Sequence, residues 1–157
     1  MHLLIGFVDS EKLFPEPERF LYCDGASKGN PGPASIGAVI YGADPESVPD
    51  TEELLQISQA IGSATNNVAE YRSLIEGLKA LKESLGADFS ASRIQVRMDS
   101  QLVIRQIEGQ YKVKNENLKP LHKEALSVLK AASSFQVQHI PREKNKRADA
   151  LANEALK

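Results

Sequence analysis

Two carboxylates stand at the ends of apolar segments, where they could meet a ligand. Asp24 directly follows the apolar segment 20–23, and Asp99 directly follows the alternating segment 94–98. If the two segments are neighbouring parallel strands, their carboxyl ends face one crevice, which is where such sheets bind ligands. We therefore expect Asp24 and Asp99 to lie close together, although each one alone is also typical of an ordinary turn.

Two further carboxylates lie on predicted helices. Glu70 precedes Leu74 and Leu78 at helical spacing, which places it toward the buried side of its helix. An ionised carboxylate on an apolar face is costly unless a cation or hydrogen-bond donors meet it. Asp149 falls in the first turn of the last predicted helix. Neither position requires a function, because Glu70 could cap its own helix and Asp149 could interact with the helix dipole.

The segments around these acids predict one α/β domain. Apolar residues at helical spacing predict an amphipathic helix over 66–85, with Thr65 or Asn66 as its N-cap. Apolar runs predict five strands, over 20–24, 36–41, 54–61, 93–98 and 135–140. Three more helices are predicted: a short one capped by Ser100 that ends at about Ile107, a longer one capped by Asn117 that ends at Ala132, and a last one over 145–156. Three strands followed by alternating helix and strand imply a mixed sheet with helices over its faces.

Composition favours a single soluble domain. The chain has 157 residues, of which 41% are hydrophobic and 25% charged, and no apolar run approaches the roughly 20 residues that span a membrane. The stretch 15–18 predicts a linker between an N-terminal extension, 1–18, and a domain over 19–157. The single cysteine, Cys23, excludes an internal disulfide and a multi-cysteine zinc site, and favours a reducing, cytoplasmic location.

The net charge of −2 argues against binding nucleic acid by a bulk positive field. Local basic groups remain as candidates, although composition alone favours an ordinary solvated face. The two groups are Lys112, Lys114, Lys119 and Lys123, and Arg142, Lys144, Lys146 and Arg147.

Four motifs, in order along the chain, resemble those of type 1 ribonucleases H. They are 22–34 (YCDGASKGNPGPA), 65–71 (TNNVAEY), 98–103 (MDSQLV) and 141–152 (PREKNKRADALA). Each motif alone is a weak signal, but their common order is a strong one. The resemblance covers nearly all of residues 20–157, and residues 1–18 lie outside it.

The resemblance implies a ribonuclease H-like fold: a five-stranded mixed sheet, order 3-2-1-4-5, with helices on both faces. It places Asp24, Glu70, Asp99 and Asp149 around two Mg²⁺ ions, with Mn²⁺ as a substitute. Magnesium prefers such oxygen ligands, and two ions can support an in-line displacement at phosphorus. The implied reaction is endonucleolytic hydrolysis of the RNA strand of an RNA–DNA hybrid, which leaves 5′-phosphate and 3′-hydroxyl ends.

The resemblance also implies substrate contacts. Matching positions suggest that Asn30, Asn67 and Gln101 contact the groove, where amides suit a 2′-hydroxyl that both donates and accepts. Thr65 and Asn66 are placed for a DNA phosphate, although helix capping explains Asn66 and Asn67 equally well. Lys112 and Lys114 are expected to form a reduced version of the basic handle of some relatives, so binding should be salt-sensitive.

One departure from the family concerns a loop histidine that assists turnover in many members. The candidates here are His139 and Arg142. Because His139 falls within the last predicted strand, we expect the assisting role to fall to Arg142 or to no residue.

Two other functions stay open at this point. One is a module that binds hybrids or double-stranded RNA and has lost catalysis, although such a module has no use for four repelling acids. The other is a different nuclease of the same fold, such as a junction resolvase, an integrase or an exonuclease. A monomer that contacts no membrane is expected in each case.

Overall fold

The structure is a computed structural model that describes residues 16–157. It contains five strands: β1 (Glu18–Ser27), β2 (Gly32–Tyr41), β3 (Glu53–Ala64), β4 (Arg93–Met98) and β5 (Ser134–His139). It contains four α-helices: α1 (Asn66–Leu85), α2 (Gln101–Ile107), α3 (Lys119–Lys130) and α4 (Lys146–Glu154). Short 3₁₀ turns, which the sequence did not predict, cover Gly86–Ala91 and Arg142–Lys144. Within the described range, no helix is both long and apolar enough to cross a membrane.

The five strands form one mixed sheet in the order β3-β2-β1-β4-β5. The first three strands pair antiparallel as a meander, whereas β4 pairs parallel with β1 and β5 pairs parallel with β4. The expected strand order is therefore confirmed. Asp24 and Asp99 lie side by side, because the parallel pairing of β1 with β4 ends at Tyr22 and Arg97, two residues before each acid. The predicted end of the first strand at Asp24 is wrong, since β1 continues to Ser27 through its antiparallel pairing with β2.

Helices cover both faces of the sheet, as expected. Side chains of β1 alternate between the faces because successive residues of a strand point in opposite directions. Leu21 and Cys23 are buried in the larger core cluster, which includes residues of α1, α2 and α3. Phe20 and Tyr22 are buried on the other face, in a smaller cluster that includes Leu151 of α4. Asp24, near the end of β1, is thus close to helices from both layers.

The predicted linker is wrong at Glu18. This residue is the first of β1 and pairs with Arg93 of β4, while the carbonyl of Pro17 accepts a hydrogen bond from the Arg93 N–H at 2.8 Å. Parallel pairing thus extends the strand before the apolar run at which the prediction began it. Residues 1–15 of the predicted extension lie outside the described residues.

The start predicted for α3 is also wrong. Asn117 does not cap this helix, which begins at Lys119 after Leu118 and has a proline in its first turn. Asn115 instead organises the preceding turn, since its side chain accepts from the Asn117 N–H at 2.8 Å. Its carbonyl accepts from the N–H groups of Leu118 and Lys119. The proline suits a helix start because its missing N–H would have no partner there.

Two glycines allow α1 and α4 to lie directly against the central strands. A Cβ atom on Gly25 would overlap the backbone of α1 at Ala69. A Cβ atom on Gly37 would overlap the backbone of α4 at Ala148. Gly25 follows Asp24 in the chain, and Gly37 is paired with Asp24 across β1 and β2. Both helices therefore approach the sheet most closely beside the same carboxylate.

We expect Gly25→Ala to lower the free energy of unfolding by about 2 kcal/mol, because overpacking in a tight site costs about 1–3 kcal/mol. The matched control is Gly42→Ala, whose Cβ would lie 3.2 Å from the flexible, half-exposed side chain of Leu54. Replacing glycine by alanine lowers the entropy of the unfolded chain and stabilises both variants by about 0.4–1 kcal/mol. The difference between their free energies of unfolding therefore reports the steric overlap at Gly25. Urea unfolding measures both. Equal stability would show that α1 does not approach β1 this closely.

Candidate active site

One polar crevice is lined by the four acids selected from the sequence. Each acid comes from a different element: Asp24 from β1, Glu70 from α1, Asp99 from the end of β4 and Asp149 from the first turn of α4. The structure therefore brings together residues that lie far apart in the sequence. The position of Asp149 is also compatible with the helix-dipole explanation, since the N-terminal turn of a helix favours an anion.

Asp24 is the most buried of the four acids, with 7% of its surface exposed. Its pKa is raised to about 8, mainly by loss of solvation and then by the negative charge of Asp99. A hydrogen bond shared with Asp149 and weaker repulsion from Glu70 raise the pKa further. In the absence of a cation, Asp24 thus tends to keep a proton at neutral pH.

Burial and a neighbouring serine have opposite effects on the pKa of Glu70. Burial raises the pKa of Glu70 to about 7, although a hydrogen bond from Ser100 opposes that rise. Ser100 also caps α2, since its hydroxyl oxygen accepts from the Val103 N–H at 3.3 Å. Glu70 does not cap its own helix, because the side chain of Thr65 accepts from the Val68 N–H there. The capping explanation of Glu70 is therefore wrong, whereas Thr65 is confirmed as the N-cap.

Arg142 also lines the crevice and lies 4.0 Å from Asp149, but 79% of its side chain is exposed. Two other members of its basic group pair with acids elsewhere. Lys144 lies 3.8 Å from Glu46, and Arg147 lies 2.8 Å from Glu53. Arg142 is thus the member of this group that extends into the crevice, and one exposed cation offsets little of the negative charge there.

The donor set suits a hard divalent cation, because carboxylate oxygens are the ligands that such ions prefer. As placed, however, no three His, Cys, Asp or Glu side chains within residues 16–157 converge on one ion position. Loss of solvation and mutual repulsion, which raise the pKa of both Asp24 and Glu70, oppose closer approach of the charged forms. The expected Mg²⁺ and Mn²⁺ ions stay a prediction.

The predicted amide and hydroxyl contacts lie around the beginning of α1 and α2. Asn66 lines the crevice, and its backbone N–H donates to Oδ1 of Asn30 at 3.1 Å. Thr65 precedes it as the N-cap, and Asn67 is exposed on the first turn of α1. Gln101 is the exposed first residue of α2. These positions surround the acids, while the proposed contacts with nucleic acid stay a prediction.

The predicted basic handle is separate from the crevice. Lys112 and Lys114 are exposed in the segment between α2 and α3, and neither lines the crevice. Gln106, a buried residue of α2, donates from Nε2 to the Lys112 carbonyl at 3.4 Å. Lys119, from the same basic group, lies 2.6 Å from Glu116. The two exposed lysines can contact a ligand only if it extends beyond the acids.

His139 is the exposed last residue of β5, so its predicted place in a strand is confirmed. It lines a different cavity, together with Arg97, Gln138 and Pro141. Arg142, in contrast, lines the crevice with the four acids. Of the two residues suggested to assist turnover, the structure thus brings Arg142 and not His139 to the acids.

Sequence reasoning missed Asn145 as a site residue and took it only as the start of the last helix. Its side chain is buried, and Nδ2 donates to Oδ1 of Asp99 at 2.7 Å. An asparagine at a helix start is typical of an N-cap, but this side chain makes no capping bond. No sequence signal distinguishes the two roles.

Comparison with known proteins supports the family resemblance. A family model described as reverse transcriptase-like matches residues 22–155. The ribonuclease HI of Halobacterium salinarum is 42% identical over 135 residues, which cover 86% of this chain and 62% of that protein. A bifunctional protein of Mycobacterium tuberculosis is 46% identical over 134 residues, which cover 85% of this chain and 34% of that protein.

Solved structures give the same result. A ribonuclease H1 isolated from compost, in complex with an RNA/DNA hybrid, has a TM-score of 0.77 at 42% identity, over 87% of this chain and 95% of that one. The ribonuclease H1 of Halobacterium salinarum has a TM-score of 0.77 at 40% identity, over 88% of this chain and 97% of that one. The present chain belongs to the type 1 ribonuclease H family. It spans about a third of the mycobacterial relatives' length.

Without divalent cations, stability should fall as the pH rises through the range in which Asp24 and Glu70 lose their protons. Their pKa values are raised to about 8 and about 7 in the fold, whereas unfolded carboxyls titrate near pH 4. The folded state therefore binds more protons, and the resulting stability is lost as pH rises through these folded pKa values. We expect a loss of at least about 1 kcal/mol between about pH 5.5 and about pH 9 in EDTA.

Urea unfolding at both pH values measures this loss, and Asp24→Asn is the matched variant. It keeps the shape of the side chain but removes the most strongly shifted carboxyl, so its stability should depend less on pH. Parallel pH profiles of stability for the parent and the variant would show that Asp24 is not the source of the pH-dependent loss.

Proposed function

We propose that this chain hydrolyses the RNA strand of RNA–DNA hybrids as a metal-dependent endonuclease. The observation that carries the proposal is the crevice, in which four carboxylates from four elements meet. The relatives support it, since two are named ribonuclease H and one was solved with an RNA/DNA hybrid bound. The proposed products carry 5′-phosphate and 3′-hydroxyl ends.

The four acids would hold two divalent cations, with Mg²⁺ as the expected ion and Mn²⁺ as a substitute. When bound, such ions lower the pKa of water and stabilise the charge that develops on the phosphate and on the leaving oxygen. The chain contributes the position of the carboxylates. Asp24 and Glu70 would release their protons as a cation enters, because the cation removes the reason for their raised pKa values.

Neutral polar groups near the acids would select the RNA strand. Asn30, Asn67 and Gln101 offer amides, which can donate to and accept from a 2′-hydroxyl. Thr65 and Asn66 lie where the start of α1 can receive a phosphate of the DNA strand. The side chains are exposed or lie around the crevice, so a hybrid could reach them without a change of fold.

Lys112 and Lys114 would bind phosphates farther along the substrate. Their charges are exposed, and each phosphate contact adds a salt-dependent contribution to affinity. Because the net charge of the chain is −2, such local contacts must offset a mildly unfavourable overall field. Arg142 would assist near the reacting phosphate, since it lies beside Asp149.

The alternative of a binding module without catalysis is less well supported. Four acids that repel one another and raise the pKa of Asp24 would weaken binding to a polyanion. A module of that kind gains nothing from keeping all four. A nuclease of this fold that acts on duplex DNA would cut a DNA duplex in place of the hybrid.

We expect Mg²⁺ to support cleavage of the RNA strand of a hybrid, with the DNA strand and duplex DNA left intact. Asp99→Asn should lower the rate by about a thousandfold or more, because the acids act as a unit. In EDTA this variant should melt at the same temperature as the parent or higher, since one repelling charge is removed. His139→Ala is the control and should change the rate by less than about twofold, because this side chain is exposed outside the crevice.

The measurement uses oligonucleotides with one labelled strand: a hybrid, an RNA duplex and a DNA duplex. Equal cleavage of the DNA strand would contradict the proposal, as would undiminished cleavage in EDTA. Binding of the hybrid without any cleavage would favour the non-catalytic module.

A further inference from the structure

Asn145 connects two of the acids through a single amide nitrogen. Its Nδ2 donates to Oδ1 of Asp99 at 2.7 Å and to the backbone carbonyl of Cys23 at 3.0 Å. Cys23 immediately precedes Asp24 in β1. The amide thus joins the side chain of one acid to the backbone that carries another, at the point where the pairing of β1 with β4 ends.

The backbone of Asn145 makes two further hydrogen bonds beside the crevice. Its carbonyl accepts from the Asp149 N–H at 3.1 Å, and its N–H donates to the Arg142 carbonyl at 2.9 Å. The residue therefore contacts the acid-bearing turn of α4 and the turn that carries Arg142. Three of the four acids, Asp24, Asp99 and Asp149, depend on elements that Asn145 holds together.

The orientation of this amide follows from its partners. Both neighbours of Nδ2 are acceptors, so a rotated amide would place Oδ1 against two oxygen atoms. In the observed orientation, Oδ1 of Asn145 is buried and finds no hydrogen-bond donor among residues 16–157. A buried polar atom without a partner destabilises a fold. Stability alone therefore explains this residue poorly, and its two donated bonds explain it better.

A neutral donor also suits a site that must attract a cation. Lysine or arginine in this place would neutralise Asp99 and compete with the ion. An amide orients the carboxylate and leaves its negative charge, with Oδ2 still available as a ligand. Groups that orient metal-binding carboxylates in this way commonly tune the affinity for the metal.

We propose that Asn145 is a positioning residue, which holds Asp99 beside Asp24 and so sets the affinity of the crevice for a divalent cation. This inference rests on the proposed function, because it presumes that the acids bind metal. Asn145 contacts neither the reacting phosphate nor the ion in this role and acts through Asp99.

The test compares Asn145→Ala with a matched control, Ser35→Ala. Ser35 is also fully buried and also connects the sheet to α4, because its hydroxyl donates to the Ala152 carbonyl. It does not line the crevice. Three quantities are measured for the parent and both variants: the affinity for Mn²⁺ without nucleic acid, the Mg²⁺ concentration that gives half-maximal cleavage, and the melting temperature in EDTA.

We expect Asn145→Ala to weaken Mn²⁺ affinity by about tenfold to a hundredfold and to raise the required Mg²⁺ concentration similarly, with rescue at high Mg²⁺. Ser35→Ala should lower the melting temperature and leave both metal measurements at the parental value. Parental metal affinity in Asn145→Ala, with a lower melting temperature alone, would overturn the inference.

A second variant covers the case in which Asn145→Ala does not fold. Asn145→Ser keeps a hydroxyl donor, but the side chain is too short to reach both acceptors. Its Mn²⁺ affinity should therefore lie between that of the parent and that expected for Asn145→Ala. Parental affinity in that variant would also overturn the inference. A parent that binds no Mn²⁺ and cuts no hybrid would instead overturn the proposed function, and the inference with it.

Discussion

Two helices lie so close to the central strands that positions 25 and 37 have room only for hydrogen. This steric constraint determines the rest of the site. Gly25 admits the first turns of α1, and Gly37 admits α4. Both glycines are neighbours of Asp24 in the sheet. The helices that contact them, α1 and α4, therefore place Glu70 and Asp149 beside Asp24. The parallel pairing of β1 with β4 places Asp99 beside Asp24.

The same constraint creates an electrostatic problem that the fold alone does not solve. Four carboxylates share a partly buried crevice, and the raised pKa values of Asp24 and Glu70 reflect loss of solvation and mutual repulsion. Arg142 is too exposed to compensate, and Asn145 orients Asp99 without neutralising it. A divalent cation would remove the repulsion. The unfavourable free energy of the metal-free crevice would then be relieved on binding, which would strengthen the affinity for the ion.

The sequence predicts the parts of this arrangement that depend on local pattern. The apolar run before Asp99 locates this acid at the end of β4, and helical spacing predicts the bounds of α1. The run before Asp24 predicts β1 but not its end, because pairing with β2 extends β1 to Ser27. The strand order came from the family resemblance rather than from the apolar pattern. Fold-level topology is poorly constrained by local periodicity, because the same runs could pair in other orders.

Other features depend on tertiary distances and could not be predicted. Asn145 and Asn117 both precede helices, yet neither side chain caps one. The Asn145 side chain donates to Asp99 instead, and α3 begins only after Leu118, which follows a turn organised by Asn115. The basic group near the C-terminus resembles a binding surface in sequence, whereas Lys144 and Arg147 are paired with distant acids. Such pairings join residues that are far apart in the chain.

Proton release on metal binding is the most direct test of the central claim that the fold forces these acids together to hold a cation. Mn²⁺ can be titrated calorimetrically into the parent near pH 7, without nucleic acid, in buffers of different ionisation heat. We predict that binding releases protons, because Asp24 is mostly protonated and Glu70 partly protonated near pH 7 until the ion enters. Absence of binding, or binding with the same proton count in the parent and Asp24→Asn, would contradict it.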